Sequence, residues 1–186
     1  GVAGTTLTVG DNATLSFGTA ADTRFDGQIL GAGTIRKVGS GNLTLGREVG
    51  ASSKFYIDEG VVTLEASNAF VNATLLSLAT GATLDLGGNG VQTFSHSAQL
   101  QGTLRFHLDG GDTIVAESDL DISGSTLDLR GGTGGFDATQ PYVIATAAGS
   151  FTADDVSVVH DLYFLNPTFS ALASEGRITF ERNDAT

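Results

Sequence analysis

The sequence predicts an all-β chain: a right-handed parallel β-helix with rungs of roughly 20 residues and a β-rich C-terminal cap. Three observations predict it. First, a Thr-Leu or Thr-Ile step recurs. Ile35 follows Leu15 by 20 residues; Leu64, Leu84 and Leu104 follow Leu45 at steps of 19, 20 and 20, and Leu127 follows after 23. Thr14, Thr34, Thr44, Thr63, Thr83, Thr103 and Thr126 precede these residues. A fixed period of this length marks one unit stacked many times. Second, most segments alternate apolar and polar residues, and Gly clusters separate them. Third, the rhythm fades near Gly134, where aromatic residues become dense.

The alternation is plainest in Thr83-Leu84-Asp85-Leu86 and Thr126-Leu127-Asp128-Leu129. It is the period of a half-buried strand. Gly87 to Gly90, Gly110-Gly111 and Gly131 to Gly135 supply the corners between strands. Folding the chain at 20 residues gives two apolar columns. One runs Leu45, Leu64, Leu84, Leu104, Leu127. The other runs Ile35, Phe55, Leu75 and later Val115, with Ser95 in the intervening slot. Two columns imply at least two sheet faces per turn, stacked about 4.8 Å apart. Parallel crossovers are overwhelmingly right-handed, which sets the expected hand. Ala69 to Ala79 is the best helical candidate, weakened by its β-branched and Asn residues.

The expected division is residues 1–135 as rungs and 136–186 as cap. Seven of the fourteen aromatics lie past Gly134, as do both prolines, Pro141 and Pro167. The open end of a solenoid presents unpaired strand edges and needs a capping element.

The net charge of −12, with Lys37 and Lys54 as the only lysines, argues against nucleic acid and anionic lipid as partners. No run of about 20 apolar residues suggests insertion into a membrane. The absence of Cys excludes disulfides, thiol catalysis and Cys-bound zinc. The chain starts at Gly1 and holds no Met, so a segment of a longer protein is expected.

The residues between inward Leu pairs should point outward, which places Glu65, Asp85, Arg105 and Asp128 on successive rungs. Glu65 and Asp85 at strand spacing would approach the roughly 5 Å separation of retaining-glycosidase carboxylates. The competing expectation is a solvated ladder with Arg105 between two acids. No acid, base and clamp constellation accompanies the pair, so the ladder is preferred. His96, His107 and His160 have no metal-ligand spacing. Asp109-Gly110-Gly111-Asp112 lacks the tandem repeats of a calcium roll and reads as a turn. No catalytic, metal or cofactor residue is assigned. Lys37 points inward by alternation from Ile35, and a corner position with its ammonium reaching solvent is expected.

Gly31 to Gly46 reads GAGTIRKVGSGNLTLG. This resembles the passenger-associated repeat of bacterial autotransporters. Gly31, Gly33, Thr34, Lys37, Gly39, Gly41, Leu43, Thr44 and Leu45 occupy the positions of its motif, and Ile35 replaces a Leu. Ile57 to Leu64 resembles the motif's second half. Farther on, Tyr142 to Ala145, Gly149 to Phe151, Phe164 to Pro167 and Arg177 to Asn183 follow the order seen at the end of such passengers. The resemblance implies a β-helical passenger segment of a type V secreted protein, with an autochaperone or junction region. It implies a bacterial cell-surface or outer-membrane location, or secretion after cleavage. The implied partner is the protein's own outer-membrane β-barrel. Tyr142, Phe151, Phe164, Pro167, Phe169 and Phe180 become the residues expected to build the folding cap.

Two other classes of function remain open on the sequence. The solenoid surface would serve as an adhesin, binding a host surface protein or a second copy. Alternatively, the carboxylates would serve a polysaccharide-cleaving enzyme.

Overall fold

The computed structural model describes residues 4–49, 53–133 and 135–183. Strand accounts for 52% of it and helix for 2%, wound as a solenoid of about 6 turns with about 22 residues per turn. The all-β expectation therefore holds, with a period slightly longer than the sequence suggested.

The chain starts with β1 (Thr6–Val9), β2 (Thr14–Gly18) and β3 (Thr23–Phe25), then β4 (Gln28–Gly31), β5 (Thr34–Val38) and β6 (Asn42–Leu45). Next come β7 (Lys54–Ile57), β8 (Val61–Leu64), β9 (Leu75–Leu78) and β10 (Thr83–Asp85). The middle turns add β11 (Val91–Phe94), β12 (Ala98–Leu100), β13 (Thr103–His107), β14 (Thr113–Ala116), β15 (Leu120–Asp121) and β16 (Thr126–Arg130). The chain closes with β17 (Tyr142–Ala147), β18 (Phe151–Thr152), β19 (Ser157–His160), β20 (Leu165–Ala171) and β21 (Glu175–Arg182).

Two seven-stranded parallel sheets run the length of the solenoid. One is β2-β5-β7-β9-β12-β15-β18, the other β3-β6-β8-β10-β13-β16-β19. A third face is discontinuous: β1 pairs with β4 at one end, and β11, β14 and β17 form a parallel run at the other. The inward side chains of all three faces merge into one core.

The expected columns need correction. Leu45 does lie opposite Leu64, but Leu84 lies opposite Val62. The continuous column is Leu43, Val62, Leu84, Leu104, Leu127 and Val158. The slip is two residues, and a slip of two keeps every side chain on its own face. Alternation therefore cannot reveal it. In the other column Phe55 lies opposite Leu76, not Leu75, which pairs with Lys54. Two adjacent leucines made that choice ambiguous. Val115 belongs to the third face, opposite Thr93.

Ala69 to Ala79 forms no helix: it turns and then enters β9. That turn lies where the third face has no strand. Phe70 fills the gap, fully buried, with its ring 4.8 Å from Phe55 and 6.4 Å from Phe94. Side chains take over the missing backbone ladder. Gln92, fully buried, accepts from Ala69 N at 3.0 Å and donates to Ala66 O at 3.0 Å. Asn68 Oδ1 accepts from Thr93 N at 2.9 Å.

Parallel pairing runs on past residue 135: β17, β18 and β19 lie on the preceding turn, with a long step of 31 residues between Thr126 and Ser157. Among the described residues the antiparallel pairings are those of β21, with β20 on one side and with the edge of β17 on the other. That hairpin buries Ile178 completely.

Replacing Gln92 by Leu keeps the volume but orphans the Ala69 N–H and the Ala66 carbonyl. Each orphaned group costs about 1–3 kcal/mol. Urea unfolding of Gln92→Leu should therefore show a loss of that order or more, while Gln99→Leu, on an outward position of β12, should be close to neutral.

Candidate functional site

Three regions carry chemistry: the repeat motif, a charged ladder on one sheet, and the aromatic C-terminal end.

In the repeat motif, Leu43 and Leu45 are core residues. Gly33 and Gly41 are buried at corners, where a Cβ would lie 2.4 Å from Gly10 O and Ala21 O respectively. Gly31 has φ +104 and passes so close to Val9 that a Cβ would overlap the Val9 carbonyl at 2.0 Å. Lys37 corrects an expectation. It does point inward, but its ammonium does not reach solvent, since the residue is 2% exposed. Nζ donates instead to Gly39 O at 2.5 Å, Val38 O at 3.2 Å and Glu59 O at 3.2 Å. Those carbonyls belong to corners of two successive turns, so the lysine ties them together. Burial lowers the Lys37 pKa from its ordinary value, and the Glu59 carboxylate opposes that shift. Gly39 itself, with φ +80, turns its carbonyl toward the ammonium.

On the second long sheet, Thr63, Asp85, Arg105, Asp128 and Val159 lie in register on successive turns. Arg105 does stand between two acids: Nη1 is 3.2 Å from Asp85 Oδ2, and Nε is 2.8 Å from Asp128 Oδ2. Glu65 is not in this row. The two-residue slip places Thr63 there, and Glu65 pairs with Arg24. The glycosidase-like stacking of Glu65 on Asp85 is therefore absent. His107 Nε2 is 2.9 Å from Asp85 Oδ1, and Arg130 Nη2 donates to Asp128 Oδ2 at 2.8 Å. The ladder is less solvated than expected, because Asp85 is 9% and Asp128 3% exposed.

Asp112 is a buried structural carboxylate that sequence reasoning missed. It is fully buried and accepts backbone N–H groups from His107 at 2.8 Å, Gly88 at 3.0 Å and Gly90 at 3.2 Å. The Asp-Gly-Gly-Asp stretch is thus a turn whose last carboxylate stitches it to the preceding turn. Burial raises the Asp112 pKa above the usual carboxylate range, against those hydrogen bonds. Among the described residues no group of three or more His, Asp or Glu is placed to hold a metal ion.

At the C-terminal end the expected cap residues divide. Tyr142, Phe151, Phe169 and Phe180 are half-buried and pack on the core. The Tyr142 hydroxyl donates to Asp112 O at 3.2 Å, and burial, with the Asp112 charge, pushes its pKa up to about 12. Gly176 passes beneath two rings: a Cβ there would lie 2.8 Å from Phe169 and 3.2 Å from Phe151. Pro167 sits on β20 opposite Phe180. Phe164 does not join the packing. It is 74% exposed beside Tyr163 at 90%. These two rings rim a cleft of about 660 Å³ with Gly131, Thr133, Phe136, Asp161 and Leu162. Inward position in the alternation was the usable signal for Gln92. No sequence signal marked the cleft, which is formed by segments about 30 residues apart.

No protein-family model, no curated protein and no solved structure matches this chain.

The Asp128 carboxyl is pushed up by burial, but hydrogen bonds from Arg130 and Arg105 outweigh this and hold it below the usual range. Such a group contributes stability above its unfolded pKa of about 3.9, lost as pH falls through the folded value. Asp128→Asn should cost about 1–3 kcal/mol at pH 7. Urea midpoints measured from pH 7 to pH 2.5 should show that deficit shrinking only below about pH 4.

Proposed function

We propose that this chain is the C-terminal part of a bacterial autotransporter passenger, and that its closed end supports folding of the passenger outside the cell and its translocation. The observation that carries this reading is the antiparallel hairpin of β20 and β21, which ends the parallel stack on the third face, adds Ile178 to the core and packs Phe169 and Phe180 against it. The resemblance of Gly31 to Gly46 and of the Tyr142 to Asn183 segments to passenger sequences supplies the family. The partner is the protein's own outer-membrane β-barrel, and the place is the bacterial surface, or the medium after cleavage.

The physical argument is one of templating. A solenoid turn gains its burial from a neighbour already in place. A turn with a stable, sealed end gives the next segment a fixed strand edge to pair with. Each turn that folds outside also becomes too wide to slip back through a pore. We assign no catalysis: the carboxylates at the centre of the ladder are taken up by Arg105, Arg130 and His107. Partner binding by the same solenoid is the second reading, favoured by the exposed Tyr163 and Phe164.

The test is surface display of the parent protein in three forms: intact, lacking Phe136 to Asn183, and carrying Gly176→Val. Gly176→Val forces the Phe169 and Phe151 rings apart without shortening the chain. Both altered forms should leave less folded passenger outside intact cells, scored by resistance to added protease. Normal yield and normal resistance in the deleted form would sink the folding role.

A further inference from the structure

We propose that the cleft beside Tyr163 and Phe164 is a docking site for an arginine side chain presented by a basic segment of a partner protein.

Charge selects the occupant. Among the described residues that line the cleft, Asp161 is the one charged residue, and none is Lys or Arg. Its Oδ1 accepts from Gly131 N at 2.8 Å, which fixes the carboxylate's position. Its Oδ2 lies 3.8 Å from Arg130 Nη1, beyond hydrogen-bond length, while Nη2 of that arginine is held by Asp128 at 2.8 Å. Asp161 Oδ2 therefore keeps capacity to accept. The chain as a whole carries −12, so its field draws cations toward the site and repels anions.

The aromatic rings select arginine among cations. Tyr163 and Phe164 are the most exposed of the large hydrophobic residues, at 90% and 74%. A guanidinium stacks on such faces while donating in its own plane to a carboxylate. A lysine ammonium is a more strongly hydrated point charge and uses the rings less well. An apolar partner would leave Asp161 with only the 3.8 Å contact to Arg130 as counter-charge and its Oδ2 without a hydrogen-bond donor, which is costly.

The site is built rather than loose. Leu162 N donates to His160 Nδ1 at 3.3 Å, closing a local turn after β19, and Asn183 N donates to Phe164 O at 2.9 Å, which ties the aromatic loop to the end of β21. Phe136 forms part of the lining, its ring 5.1 Å from Phe180 of the capping hairpin. The volume of about 660 Å³ falls in the range of ligand pockets, about 300–1,000 Å³.

The probe is the peptide acetyl-Gly-Arg-Gly-Arg-Gly-amide, titrated into the full chain by calorimetry, with amide shifts of Gly131, Gly132 and Tyr163 followed by NMR. Circular dichroism checks that each variant is folded. Saturable binding is expected, with shifts confined to the cleft. Tyr163→Ala and Asp161→Asn should each weaken it roughly three- to tenfold. The lysine version of the peptide should bind more weakly, and Asp11→Asn, on an exposed turn near the other end, should change nothing. The proposal is overturned by an absence of saturable binding. It is equally overturned if Asp11→Asn weakens the peptide as much as Asp161→Asn, which would reveal only bulk attraction to an acidic chain. Cleft shifts produced by an uncharged oligosaccharide, with the peptide silent, would overturn it as well.

Discussion

A single turn of about 22 residues encloses too little volume to bury its own apolar side chains, so burial comes only from lying on another turn. The rest of the structure depends on this. Strands must be short, because three faces and their corners share one turn. They must be parallel, because each turn repeats the direction of the last. Inward positions must be apolar on every turn, because each is both floor and ceiling. At the last turn the requirement has no partner to satisfy it, and the chain reverses. β21 occupies the free edge of β17, so a further parallel turn cannot pair there. The outer strand of the hairpin carries Pro167, which has no N–H to offer another strand.

Corners pose a different problem, since backbone there turns away from its neighbours and loses its ladder. Three buried side chains solve it with three chemistries. The Lys37 ammonium gathers carbonyls from two turns. The Asp112 carboxylate gathers N–H groups from two turns. The Gln92 amide serves one of each. Orphaning a buried polar group costs about 1–3 kcal/mol, whereas an exposed pair such as Arg36 with Asp58 is screened by water and contributes little. The specificity of stacking therefore resides in these interior stitches more than in the surface ion pairs.

The repeat was legible because each turn places its residues in nearly the same surroundings, so Thr-Leu steps and Gly corners recur. Alternation correctly turned Lys37 inward and set Arg105 between Asp85 and Asp128. It failed on Glu65 and on the Leu45 to Leu127 column for one reason: a two-residue slip is invisible to a period of two. The third face was hidden because its strand is missing beside Phe70, and side chains rather than backbone complete it. Lys37 misled in its ending, since a long polar side chain usually snorkels to water, and here Gly39 and Glu59 carbonyls intercept it. Phe164 misled because aromatic content identifies a capping region without saying which rings turn inward.

That division of the rings is informative in itself. Sealing the end requires the inward set, with Phe169 and Phe151 over Gly176 and Phe136 against Phe180. It does not require Tyr163 and Phe164, which stand in water on a loop tied to the end of β21. Burying a side chain of this size is worth about 1.5–3 kcal/mol, so a segment shaped only for stability would forgo that gain twice within two residues. A single exposed ring is ordinary. Two adjacent rings over a cleft with an oriented carboxylate form a surface with a chemistry of its own. The capping segment therefore holds two sets of side chains that share a backbone but answer to different demands. Closure belongs to the inward set, and the outward set is left facing solvent beside the cleft.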